Sequence, residues 1–211
     1  DNFQNFGLWL DSTPTTSAFI TSISVILVPL FLVISGRQKI SNRIWYSVIL
    51  ALSGLFMLLD PLNSGIKTGD IITFGCAICF ASHIILQDES VKKNVDIFRF
   101  FLAQIGIVCI LSFLCSLIFE PVSLLSSMHP NFWSITLIKA LLINGILATT
   151  VAIMIMVWAQ KIVSPSQTAI FFSLEPFFAA LFSWYLIGEK IGLYGCIGGL
   201  IIIGAIIISD N

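Results

Sequence analysis

Apolar residues run along this chain in long blocks separated by short polar clusters. Seven blocks stand out, at about 14–35, 42–60, 69–88, 96–119, 134–160, 165–187 and 192–209. Each is near the roughly 20 residues that an α-helix needs to span a bilayer. The blocks are too long and too unalternating for barrel strands. They are apolar all round, as lipid-embedded helices are, so periodicity does not sharpen their ends. The connections carry turn chemistry or charge: Gly36-Arg37-Gln38-Lys39, Asp60-Pro61-Leu62-Asn63-Ser64-Gly65 and Glu120-Pro121. The pattern predicts an all-α membrane protein with seven full transmembrane helices.

Composition agrees. Of 211 residues 57% are hydrophobic and only 10% charged, against about 25% charged in a soluble domain. Mean hydropathy is +1.02. So few charges cannot clothe a water-exposed surface, and lipid must cover much of the outside. A net charge of −1 argues against a nucleic-acid partner, which wants a basic face. Cys76, Cys79, Cys109, Cys115 and Cys196 all fall inside apolar runs. Cys76 and Cys79 form a CxxC, but redox or zinc chemistry needs an exposed polar setting. The cysteines read as small packing residues, and no cofactor or metal motif is present.

Lys and Arg set the orientation. Arg37, Lys39, Arg43, Lys92, Lys93, Arg99 and Lys161 follow spans one, three and five, whereas only Lys67 and Lys190 follow spans two, four and six. This bias predicts a multi-pass protein of the cell (inner) membrane with a cytoplasmic C-terminus.

A repeat adds the most. Shifting the chain by 151 residues lays spans one and two on spans six and seven without a gap. Pro14 meets Pro165, Ala18 meets Ala169, Ser22 meets Ser173 and Leu30 meets Leu181; then Gln38 meets Glu189 and Lys39-Ile40 meets Lys190-Ile191. The hairpins are five spans apart, an odd number, so the second copy must be inverted. Inverted repeats characterise secondary transporters, whose substrate lies between the repeats near the midplane. A five-helix unit makes residues 69–209 the second copy and residues 1–60 the remainder of the first. On that division two helices and most of a third precede the first full span, and residues 1–10 are the remnant of that third helix.

The stretch Ser164-Pro165-Ser166-Gln167-Thr168-Ala169-Ile170-Phe171-Phe172-Ser173-Leu174-Glu175-Pro176, continuing to Leu181 and through Gly188-Glu189-Lys190-Ile191-Gly192, resembles the second repeat of EamA-type permeases of the drug/metabolite transporter superfamily. Residues Thr15 to Leu30 look like the matching part of the first repeat, and Gln4 to Leu8 like the end of the helix before it. The resemblance implies ten helices in two inverted five-helix repeats, moving small metabolites or xenobiotics. The chain departs from the family at Gln38, where a glutamate is common.

An ionisable group at mid-span costs at least about 2.5–3.5 kcal/mol and is a functional candidate by default. Glu175 is the sharpest, lying mid-way along span six beside Pro176. That proline cannot donate to the preceding turn, so a carbonyl is freed near the carboxyl group. Such a group could bind a cation, carry a coupling proton, or serve as a hydrogen-bonded structural acid. Pro29 and Pro176 are the helix-breaking prolines of spans one and six. Gln104, Asn144 and Gln160 are neutral polar groups on spans four and five; each either lines a cavity or bridges helices for about 0.6 kcal/mol. Asn144 is the best of them, with Gly145 and Thr149-Thr150 beside it. Trp158 offers an aromatic wall for an organic solute, against a packing role that Trp184 shares. Lys139 can snorkel to the outer interface, and His83 suits packing or the cytoplasmic interface. Gly195 and Gly199 form a GxxxG on the last span, for packing within the chain or a homodimer face.

Together these features predict a permease moving a small organic metabolite or drug-like solute by alternating access, with proton coupling as one of the roles open to Glu175. The alternative is a truncated, non-transporting remnant or an assembly partner of a transporter. An enzyme is not expected: HExxH, GxSxG and paired membrane aspartates are missing, and His83 and His129 are far apart. Neither a filter-like loop nor a charged ring points to a channel.

Overall fold

The protein is described by a computed structural model covering residues 14–60, 67–93, 96–119, 133–188 and 192–210. The expected remnant in residues 1–10, Asn63, Glu120-Pro121, His129 and the turn Glu189-Lys190-Ile191 lie outside the described residues. The described residues form helices and no strand. Among the described residues seven helical spans are long and apolar enough to cross a membrane: Thr16–Ile34, Asn42–Leu59, Thr68–Lys92, Ile97–Ile118, Ile135–Ala159, Pro165–Leu186 and Leu193–Asp210. This is the expected multi-pass, all-α membrane protein.

Three spans are segmented. The first comprises α1 (Pro14–Ser22) and α2 (Ser24–Ile34); α3 is Asn42–Leu59, α4 Thr68–Lys92 and α5 Ile97–Phe119. The fifth comprises α6 (Ile135–Leu142), a π-helix over Ile143–Val151 and α7 (Ala152–Ala159). The sixth comprises α8 (Pro165–Phe172) and α9 (Leu174–Ile187), and α10 is Leu193–Asp210. The chain divides into two compact units, Asp1–Gln87 with Val163–Asn211, and Asp88–Ile162.

In the first unit the 151-residue register reappears in the helices themselves. Moving α3 by 151 residues gives the bounds of α10, and Pro14 at the start of α1 maps onto Pro165 at the start of α8. The first span breaks at Ile23 and the sixth at Ser173, one residue from register. Glycines in the left-handed region, Gly36 (φ 66°) and Gly188 (φ 74°), follow α2 and α9, a conformation that side-chain-bearing residues resist.

The helices α3 and α10 pack most closely, and they do so antiparallel. A Cβ placed on Gly54 would lie 2.6 Å from the Gly198 carbonyl oxygen and 3.1 Å from the Ile202 nitrogen; one on Gly198 would lie 2.5 Å from the Gly54 carbonyl oxygen and 2.8 Å from the Leu58 nitrogen. Advancing along α3 therefore means retreating along α10. An antiparallel pair is what an inverted repeat of these two helices requires. Lipid removes the hydrophobic drive for helix association, so close backbone approach over small residues takes its place. Val25, Val48, Ala51, Ile170 and Ala205, all fully buried, form the core beside this contact. Gly195, Gly198 and Gly199 are buried within the chain: Gly198 meets α3, and Gly199 receives the Phe177 ring.

The start of α8 is fixed by a capping box. Ser164 accepts from the Gln167 backbone N–H at 3.3 Å, and the Gln167 side-chain oxygen accepts from the Ser164 N–H at 3.1 Å. Gln167 Nε2 also donates to the Ser209 carbonyl at 2.9 Å. One amide thus ties the start of span six to the end of span seven.

Candidate functional site

The break in span six is made by local chemistry. Pro176 supplies no N–H to the turn before it, which frees a carbonyl. The Ser173 N–H turns to Ile170 O at 3.0 Å, an i−3 bond, and Ser173 Oγ donates to the same carbonyl at 2.6 Å. Two rings hold the break in place: Phe172 packs edge-on against Phe80 of α4 at 5.0 Å, and Phe177 lies against Gly199. In span one the Ile23 N–H likewise bonds Ile20 O at 3.1 Å. There the hydroxyls of Thr21 and Ser22 bond back to Ser17 and Ala18 carbonyls, which bends helices. Pro29 sits inside an unbroken α2; the interruption is at Ile23, because the hydroxyl back-bonds act there.

Glu175 lies in the first turn of α9, at the middle of the span Pro165–Leu186. Its side chain is exposed. Phe171, Phe178 and Phe182 are exposed too, and they follow helical spacing with Glu175, so the four share one face. Ser24 occupies the corresponding place in the first repeat and is buried, at 1% exposure.

The second unit holds Gln104, Asn144, Trp158 and Gln160. Asn144 is exposed in the π-helix. Thr149 Oγ1 donates to Asn144 O at 2.8 Å and Thr150 Oγ1 to Gly145 O at 2.7 Å, both across five residues. Wide turns of this kind recur at functional sites. Gln104 is half-buried on α5, and Gln160 is fully buried at the C-cap of α7. Trp158 is exposed and lines an open cleft of about 690 Å³ together with Asp96, Ile97, Phe98, Met154, Ile155 and Lys161. Glu175 and both prolines belong to the first unit, and Gln104, Asn144, Trp158 and Gln160 to the second.

Among the described residues no cluster of three or more His, Cys, Asp or Glu could hold a metal ion. His83 is hydrogen-bonded to Gln87, and Lys139 is exposed on α6.

The profile of the EamA-like transporter family matches residues 67–209. The chain belongs to the EamA-like transporter family. An "Uncharacterized transporter" of Archaeoglobus fulgidus is 30% identical over 98% of this chain and 63% of its own length. A second protein so named from the same organism is 22% identical over 94% of this chain and 67% of its own length. This chain thus spans about 63% of the length of the first relative. A solved crystal structure superposes with a TM-score of 0.81 at 16% identity, over 99% of this chain and 72% of that one, which shows a shared fold.

In this EamA-like chain several features escaped the sequence. The π-helix was foreshadowed only by the Thr149-Thr150 pair. Asp96 and Phe98 of the cleft gave one local signal, an acidic residue placed to cap α5: Asp96 Oδ1 accepts from Phe98 N at 2.9 Å and Arg99 N at 3.4 Å. The close approach at Gly54 and Gly198 was hidden, because the conspicuous GxxxG motif is Gly195 and Gly199.

Proposed function

We propose that this chain is the core of a permease that carries a small organic metabolite or drug-like solute across the cell (inner) membrane by alternating access. The observation that carries the reading is Glu175, a mid-span carboxyl group on an open face of phenylalanines, at a helix break with a counterpart in the other repeat. A carboxyl group facing lipid at that depth is costly. Its face therefore belongs against a solvated cavity or another protein element. Broken helices at the midplane are where transporters of inverted-repeat design hold substrate and coupling ions. Glu175 carries the coupling proton or meets a cationic group of the solute. Gln104, Asn144 and Gln160 supply neutral polar partners. Residues 1–60 and 69–209 act as the remainder of the first repeat and the whole second repeat, with the C-terminus in the cytoplasm.

Reconstitution in liposomes tests this. Saturable solute flux is expected, accelerated by a pH gradient, and Glu175→Gln is expected to slow it and to flatten its pH dependence. Wild-type rate and pH response in Glu175→Gln would remove the coupling role. Absence of saturable flux for a broad solute panel would favour a non-transporting assembly partner.

A further inference from the structure

The cleft of the second unit joins an apolar wall to one charge of each sign. Its residues come from the two helix ends where α5 begins and α7 finishes. Both ends are limits of membrane-length spans, Ile97–Ile118 and Ile135–Ala159. The cleft thus opens where hydrocarbon meets headgroups. Its walls are Ile97, Phe98, Met154, Ile155 and Trp158, and its charged groups are Asp96 and Lys161, one of each sign. Trp favours this depth because its ring is apolar and its N–H polar. Lys161 is exposed, as a lysine that reaches headgroup phosphates must be. Asp96 keeps Oδ1 for the two backbone N–H groups of α5. Its Oδ2 is only 3.8 Å from Arg99 Nε, and the Arg99 side chain is 86% exposed, so that pairing is weak.

We infer that the cleft binds one phospholipid of the phosphatidylethanolamine type. The phosphate pairs with Lys161, the primary ammonium donates to Asp96 Oδ2, and the upper part of one acyl chain lies along Phe98, Ile155 and Trp158. One cation and one anion on an apolar wall match a zwitterion with an N–H donor. A free anion would leave Asp96 opposed, and a plain hydrocarbon would leave both charges unused. The site is independent of the transport reading, and it gives Trp158 a lipid partner instead of a solute.

The test uses the purified chain in phosphatidylcholine nanodiscs carrying a minor fraction of photoreactive phosphatidylethanolamine, with crosslinks mapped by peptide mass spectrometry. Labelling is expected to concentrate on Met154, Ile155, Trp158 and Phe98 over Ile107 to Leu111 of the same α5 helix. Lys161→Gln should lower it roughly fivefold, the scale of one exposed charge pair. Asp96→Asn keeps the helix cap and should lower labelling by photoreactive phosphatidylethanolamine, leaving the weaker labelling by the phosphatidylcholine analogue unchanged. Uniform labelling along α5 would overturn the proposal. So would labelling insensitive to both variants, or stronger labelling by a phosphatidylglycerol analogue. A transported solute that displaces the lipid from these residues would also overturn it, by making the cleft a solute site. None of these readouts requires transport.

Discussion

The hairpin of α1 to α3 and the hairpin of α8 to α10 share a register, yet they differ where it matters. Each has an interrupted first span and an uninterrupted second helix, and α3 and α10 have bounds that coincide after the 151-residue shift. At the break, however, the register pairs buried Ser24 with Glu175, which is exposed. Val25, fully buried in the core, has Pro176 as its mate. The first copy thus spends its break on packing, and the second places a carboxyl group and a proline there. The two hairpins share helix bounds, and the residues at these two positions make one break chemically distinct from the other.

The largest effect is expected from breaking what the copies share. Gly198→Leu puts a side chain where a single Cβ already meets the Gly54 carbonyl oxygen and the Leu58 nitrogen. Backbone cannot yield there as a flexible side chain could, so the loss should be at least about 3 kcal/mol. Denaturant titration in detergent, followed by far-UV circular dichroism, measures it, and a loss under 1 kcal/mol, roughly the ordinary surface range, would contradict the packing. Exchanging the break residues sharpens the difference next. Ser24→Glu buries a carboxyl group in the first copy and should cost about 2–3 kcal/mol or more. Glu175→Ser, at an exposed position, should change stability by about 0.5 kcal/mol at most. Equal losses from the two would mean that the breaks are equivalent after all. The smallest effect concerns the tie between spans six and seven. Gln167→Ala removes the capping box and the bond to Ser209 O, with an expected loss of about 1 kcal/mol. Hydrogen exchange should rise at the last turn of α10, near Ser209.

Much of this was legible in residue order. The spans, the all-α class and the hairpin register were plain, because a bilayer demands long apolar helices and both hairpins carry a proline at the start and Lys-Ile at the turn. Glu175 was legible because a carboxyl group is rare at that depth. Pro29 misled: a proline in a helix suggests an interruption, but the hydroxyls of Thr21 and Ser22 bend the span earlier. Asn144 was legible as polar, yet the π-helix around it depends on which carbonyls its neighbours reach. Gln104 and Gln160 look alike in sequence, but one is half-buried on α5 and the other fully buried at a helix end.

By itself the sequence determined that this protein lives in lipid, that it carries an inverted pair of hairpins, and that one mid-span acid stands apart. Those conclusions follow from hydrophobicity, loop charge and spacing, which are properties of the chain read in order. Only the tertiary structure decided which glycines touch, where the spans break, which side of the sixth span is open, and that Asp96, Trp158 and Lys161 share a cleft. These depend on contacts between residues far apart in the chain. Apolar helices look alike until packing shows which side chains meet a backbone, a ring or an open face.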